Sequence, residues 1–155
     1  MRTYPLRENV LGVPVDALSW TEAIDLILEW ALRRESRTIC MCNVHNIMTA
    51  RSDAAHTDAI KSADLVAPDG APLAGMLRKK AHVDQERISG PDFMWACCRK
   101  ASTVGTETFL YGGRLNTLPR LEHRFARKYR VLELSVLVRR PFADCPQGKT
   151  LRSLT

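Results

Sequence analysis

A short apolar run, a glycine or polar turn and then a helix-period segment recur at 38–47, 63–79 and 108–128, and this alternation predicts an α/β fold. The runs lack the polar alternation of half-exposed strands. They therefore read as a Rossmann-like parallel sheet with helices on both faces. The length agrees, because 155 residues suit a single domain, expected over residues 1–140 with an irregular tail at 141–155. Hydrophobic residues at 45% and charged residues at 26% exclude the disordered and fibrous classes.

Each element has a local cause. Val10–Val15 alternates weakly and reads as a short edge strand. Ser19-Trp-Thr-Glu22 is a capping box, in which a hydroxyl and a carboxylate satisfy the free N–H groups of a helix start. Ile24, Ile27, Leu28 and Ala31 follow as one buried stripe, so a helix runs to about Arg34. Thr38–Cys42 is a β-prone run, and Asn43 after it caps a helix carrying Val44, Ile47 and Met48. Asp53 caps a third helix through Ile60. Ala63–Ala67 is a buried strand stopped by Pro68-Asp69-Gly70, and Ala71–Lys80 is helical. Ser89-Gly90-Pro91 starts the helix that continues over Asp92–Ala101. Thr108–Tyr111 is a strand ending at Gly112-Gly113, Leu118–Tyr129 a basic helix and Val131–Val138 a covered strand.

The net charge of +6 is unevenly placed. Met1–Gly113 holds 13 basic and 14 acidic residues, whereas Arg114–Thr155 holds 10 and 3. Such a basic region attracts anionic surfaces or is simply a solvated helix face. Nucleic acid is not expected as a partner, because aromatic residues are only 6% and do not interleave with the basic cluster. No apolar stretch reaches the roughly 20 residues that span a bilayer, and Met1–Val15 has no apolar leader, so the expected location is the cytoplasm. Cys40, Cys42, Cys97, Cys98 and Cys145 make an odd set without C-x2-C spacing, so reduced thiols and no metal site are expected.

In open parallel sheets ligands bind beyond the carboxyl ends of the strands, where helix N-termini converge. Asn43–Asn46, Asp69-Gly70 and Gly112-Gly113 fall on that edge. A carboxylate held there by Pro68 and Gly70 can take a proton from a hydroxyl nucleophile, while backbone amides and Arg87 hold a diphosphate. Each residue also has a plainer reading. Pro-Asp-Gly is a common turn, Asn43 is a helix cap, and Gly112-Gly113 lacks the G-x-G-x-x-G context of a dinucleotide site. His45 has no carboxylate at helical spacing to orient it, and Asp92 sits at the positive end of its helix.

Taken together, Val10-Leu-Gly-Val-Pro-Val-Asp16, Cys42-Asn43-Val-His-Asn46, Ala63-Asp-Leu-Val-Ala-Pro-Asp-Gly70, Arg87-Ile-Ser-Gly-Pro-Asp92 and Phe109-Leu-Tyr-Gly-Gly113 resemble the WecB/TagA/CpsF family of bacterial glycosyltransferases. The resemblance implies inverting, metal-independent and cofactor-free transfer of an N-acetylhexosamine from a UDP-sugar to a polyprenyl-diphosphate-linked saccharide, in cell-surface polysaccharide synthesis. It implies Asp69 as the catalytic base and Arg87 as a contact to diphosphate or acceptor. Asn43, His45, Gly70, Asp92, Gly112 and Gly113 would complete the substrate site. Met41 stands where the family has a threonine, and residues 133–155 depart from the family pattern, so the domain is expected to be truncated or frameshifted there. The chain would work peripherally at the inner face of the membrane, with self-association allowed but not specified. The rival expectation is an inactive relic that binds a nucleotide sugar without catalysis.

Overall fold

The chain opens with a hairpin where a single edge strand is expected. In the computed structural model, which describes residues 5–81, 84–106, 108–111, 117–128 and 134–137, β1 (Leu6–Val10) pairs antiparallel with β2 (Val13–Ala17). The reversal occurs at Leu11 and Gly12, with φ of 52° and 91°. Two successive positive φ values are the geometry of a two-residue turn whose twist matches that of the flanking strands. The Asn9 side-chain oxygen accepts the Gly12 N–H at 2.8 Å. The run at 10–15 is therefore two strand ends folded onto each other, and its weak alternation is the trace of the turn inside it.

The helix α1 (Trp20–Leu32) starts as its sequence dictates. Ser19 Oγ accepts the Glu22 N–H and Glu22 Oε2 accepts the Ser19 N–H at 2.7 Å. It ends with Arg34 at φ 55°, the Glu35 N–H donating to Trp30 O and the Arg34 N–H to Ala31 O. These two bonds satisfy the last carbonyls in the manner usually reserved for glycine.

Next, β3 (Ile39–Cys42) pairs parallel with β4 (Leu65–Pro68), Ile39 opposite Leu65 and Cys42 opposite Pro68. The connection holds α2 (Val44–Ala50) and α3 (Ala54–Lys61), the latter capped by Asp53 accepting the His56 N–H. After β4 come α4 (Ala71–Ala81) and α5 (Gly90–Thr103). Pro68 is the last residue of β4 rather than its breaker.

Alternation along the two strands feeds two cores. Cys42 and Val66 join the hairpin valines and Ile47, Ile60, Leu73 and Leu77, whereas Leu65, Ala67, Ile39 and Met41 pack with α1 and α5. Trp20 of α1 meets Phe93 of α5 edge to face, ring centroids 5.5 Å apart at 88°. The parallel pair is thus covered by helices on both sides. The hairpin is tied to β4 by the buried Asp16, whose Oδ2 accepts the Val66 N–H at 2.7 Å.

Residues Met1–Thr106 form one compact unit and Glu107–Thr155 a second. In the second, β5 (Thr108–Tyr111) pairs parallel with β6 (Leu134–Leu137), and α6 (Thr117–Lys128) lies between them in sequence, with Phe125 buried. The chain is a mixed α/β protein. The single sheet expected from the sequence is represented among the described residues by two parallel pairs and one antiparallel hairpin. No helix among the described residues is long and apolar enough to cross a membrane.

Candidate active site

Two polar residues leave the parallel pair side by side. Because Cys42 lies opposite Pro68, Asn43 and Asp69 are the next residues on neighbouring strands, and the Asp69 N–H donates to Cys42 O at 2.7 Å, extending the ladder by one bond. Gly70 then turns the chain at φ 110°, a left-handed conformation that favours glycine, and its carbonyl accepts the Ala74 N–H as α4 begins.

The segment before α5 returns to the same edge. The Ile88 N–H donates to Pro68 O at 3.1 Å, which seats Ser89 and Gly90 beside the end of β4. A Cβ added at Gly90 would lie 3.9 Å from Asp69 Oδ2 and 3.8 Å from Met41 Cγ. The half-buried Asp69 carboxylate therefore faces the first residue of α5, with the Met41 side chain beside it. Ser89 places no side-chain cap on α5. Two helices of more than two turns, α4 and α5, start at this edge with N–H groups suited to an anionic ligand.

Asn43 is largely committed to structure. Its side-chain oxygen accepts the Asn46 N–H at 3.0 Å while Asn46 Oδ1 accepts the Asn43 N–H at 3.1 Å. What it retains for a ligand is its amide NH2. His45 is exposed in the first turn of α2, Asp92 is exposed in the first turn of α5, and Arg87 is exposed on the segment that leads to α5. The structure thus brings Asn43, Asp69 and Gly70 together at one strand edge and Asp92 onto the helix that starts there. Gly112 and Gly113 lie outside the described residues.

Two contacts at and near this edge have no signal in the sequence. Gly90 stands in a helix-start signal and in the Arg87–Asp92 motif, and nothing local announces that it faces Asp69. Gln85 is 1% exposed, and its side chain accepts the Leu18 N–H and donates to Leu18 O, both at 2.8 Å. Its partner is 67 residues away, so no short-range pattern reveals it.

Thiol chemistry is disfavoured here. Burial, with a lesser contribution from Cys40, pushes the Cys42 thiol up to about 12, and burial with Cys98 does the same to Cys97. Among the described residues no group of three or more His, Cys, Asp or Glu side chains comes together as a metal site. An open depression lined by Asp25, Leu28, Leu32, Arg33, Lys100 and Val104 lies at the opposite end of α5 from Gly90. A family model for the glycosyl transferase WecG/TagA/CpsF family matches residues 8–152 of the chain.

Proposed function

We propose an inverting sugar transfer for this chain, which belongs to the glycosyl transferase WecG/TagA/CpsF family. The donor is a UDP-linked N-acetylhexosamine and the acceptor a hydroxyl of a polyprenyl-diphosphate-linked saccharide, in polysaccharide synthesis. The observation that supports this reading is the Asp69 carboxylate at the carboxyl edge of β3 and β4, facing the first residue of α5. The β3–β4 pair with its helices on both faces is read as part of a Rossmann-like sheet.

In this mechanism Asp69 takes the proton of the acceptor hydroxyl as its oxygen attacks the anomeric carbon. The new C–O bond forms on the face opposite UDP, the old one breaks, and UDP departs with the electron pair. One base is enough when the leaving diphosphate is stabilised as an anion, here by Arg87 and the N–H groups at the starts of α4 and α5. The Asn43 amide, His45, Gly70 and Asp92 complete the proposed substrate surface within the first unit, and no metal takes part. The exposed Arg120, Arg124 and Arg127 of α6 suit an anionic membrane surface, near which each basic residue contributes about 1 kcal/mol.

The test is Asp69→Asn with UDP binding and sugar transfer measured together. Loss of the base is expected to lower turnover by about 10²–10⁴-fold with unchanged UDP affinity and circular dichroism. Turnover near that of the wild type overturns the assignment of Asp69. UDP binding by a wild-type chain that transfers no sugar overturns the enzymatic reading and makes the chain a binding module.

A further inference from the structure

Residues 85–88 cross the edge of the site as a short strap fixed at two points. At its start the buried Gln85 side chain makes three hydrogen bonds, accepting from Leu18 N–H and donating to Leu18 O and Glu86 O, each at 2.8 Å. The Gln85 carbonyl also accepts from Arg78 Nη1 at 2.8 Å. At its end the Ile88 N–H is bonded to Pro68 O, the residue before Asp69. Glu86 and Arg87 are the exposed residues between these anchors.

This arrangement fixes the backbone on both sides of Arg87. Leu18 immediately follows β2, and Pro68 ends β4, so the strap spans from the hairpin to the catalytic edge. An amide that satisfies both the donor and the acceptor of one distant backbone residue leaves the strap a single register, because a shift would strand buried polar groups. The chain has two residues in which to place the guanidinium between the anchors.

We infer that Gln85 is a positioning residue for Arg87, holding the 85–88 strap so that the guanidinium meets the diphosphate of the donor beside Asp69. The inference rests on the proposed role of Arg87. Gln85 is remote from the reacting atoms and acts through the strap alone.

The experiment is a double-mutant cycle read by calorimetric titration of the full chain with UDP. Arg87→Ala is expected to weaken UDP binding about tenfold or more, the scale of a lost charge-assisted hydrogen bond. Gln85→Met keeps the side-chain length and removes the three hydrogen bonds, and is expected to weaken binding about three- to tenfold as the strap loses its register. The variant carrying both changes should match Arg87→Ala within about twofold, because a positioning residue has nothing left to position. An effect of Gln85 on binding that does not run through Arg87 predicts instead that the two losses multiply, and that result overturns the inference. Gln85→Glu retains the acceptor for Leu18 N–H and sets a carboxyl against the Leu18 and Glu86 carbonyls, and gives a second reading of the same cycle. If Arg87→Ala binds UDP as well as the wild type, the role of Arg87 falls and the inference with it. If Arg87→Ala binds weakly while Gln85→Met and Gln85→Glu bind normally, only the inference about Gln85 falls.

Discussion

Arg7 holds Asp16 through two nearly parallel hydrogen bonds, Nε to Oδ1 at 2.6 Å and Nη2 to Oδ2 at 2.8 Å. The carboxylate is 2% exposed and the guanidinium 41%, so the arginine shields an anion whose remaining lone pairs serve Val66 N–H. One carboxylate thereby binds β1 to β2 and both to β4, and Arg7 Nη2 adds a bond to Asp64 O. Asp16→Ala unpairs the guanidinium and strands the Val66 amide. A loss of about 2–3 kcal/mol is expected in urea unfolding, less than for a fully enclosed pair because water still reaches Arg7. A loss under about 0.5 kcal/mol would show that Asp16 is not the tie between hairpin and strand.

Leu11 carries a positive φ that leucine tolerates poorly, and its side chain is 59% exposed. Leu11→Asn creates the Asn-Gly pair preferred in two-residue hairpin turns. The variant is expected to be more stable by about 0.5–1 kcal/mol, with sugar transfer unchanged. Thermal unfolding at fixed pH measures it, and an unchanged or lower midpoint contradicts the turn geometry.

Acid should loosen the first unit through Asp64. The Thr38 N–H, donating to Oδ2 at 2.8 Å, and then Arg37, donating to Oδ1 at 2.9 Å, hold this carboxyl below its ordinary range. The unfolded chain takes up the proton at a higher pH than the folded one, so the contribution is complete above about pH 4 and disappears as the pH falls through the folded value. Glu22, held low by the Ser19 backbone N–H, acts in the same direction. Urea midpoints between pH 6 and pH 3 should fall less steeply in Asp64→Asn than in the wild type, and parallel curves would exclude the effect.

The buried Cys42 thiol and the half-buried Cys97 thiol define the alkaline side. Cys42 and Cys97, pushed up to about 12 chiefly by burial, stay protonated in the fold while the unfolded chain ionises near its ordinary value of about 8.5. Stability is therefore intact below that pH and declines as the pH rises towards 12. In a short pulse of iodoacetamide at pH 8, mass spectrometry should find both unmodified in the native chain and both alkylated in guanidinium. Prompt native labelling of Cys42 would contradict its burial in the core at the end of β3.

What could be read from the sequence was what short stretches of chain decide by themselves. Ser19 and Glu22 announce α1 because the capping box is closed within four residues. Asp69 could be placed at a strand end because an apolar run and Pro-Asp-Gly adjoin it. The hairpin was not legible, since its turn uses a leucine where glycine or asparagine is customary. The meeting of Asp69 with Gly90 depends on the Ile88–Pro68 bond, and the roles of Asp16 and Gln85 depend on partners 50 and 67 residues away. Such pairings are settled by the assembled cores, and no window on the sequence contains both halves.

The strand Ile39–Cys42 sends alternate side chains to opposite sides, Cys42 to one core and Ile39 and Met41 to the other. A slip of one residue against Leu65–Pro68 would exchange every one of them and would pull Asn43 away from its place beside Asp69. The same four residues that shape this rim thus proofread it: a misaligned chain forfeits both hydrophobic interiors at once, so a well-packed molecule with Asn43 and Asp69 out of register is not an available outcome.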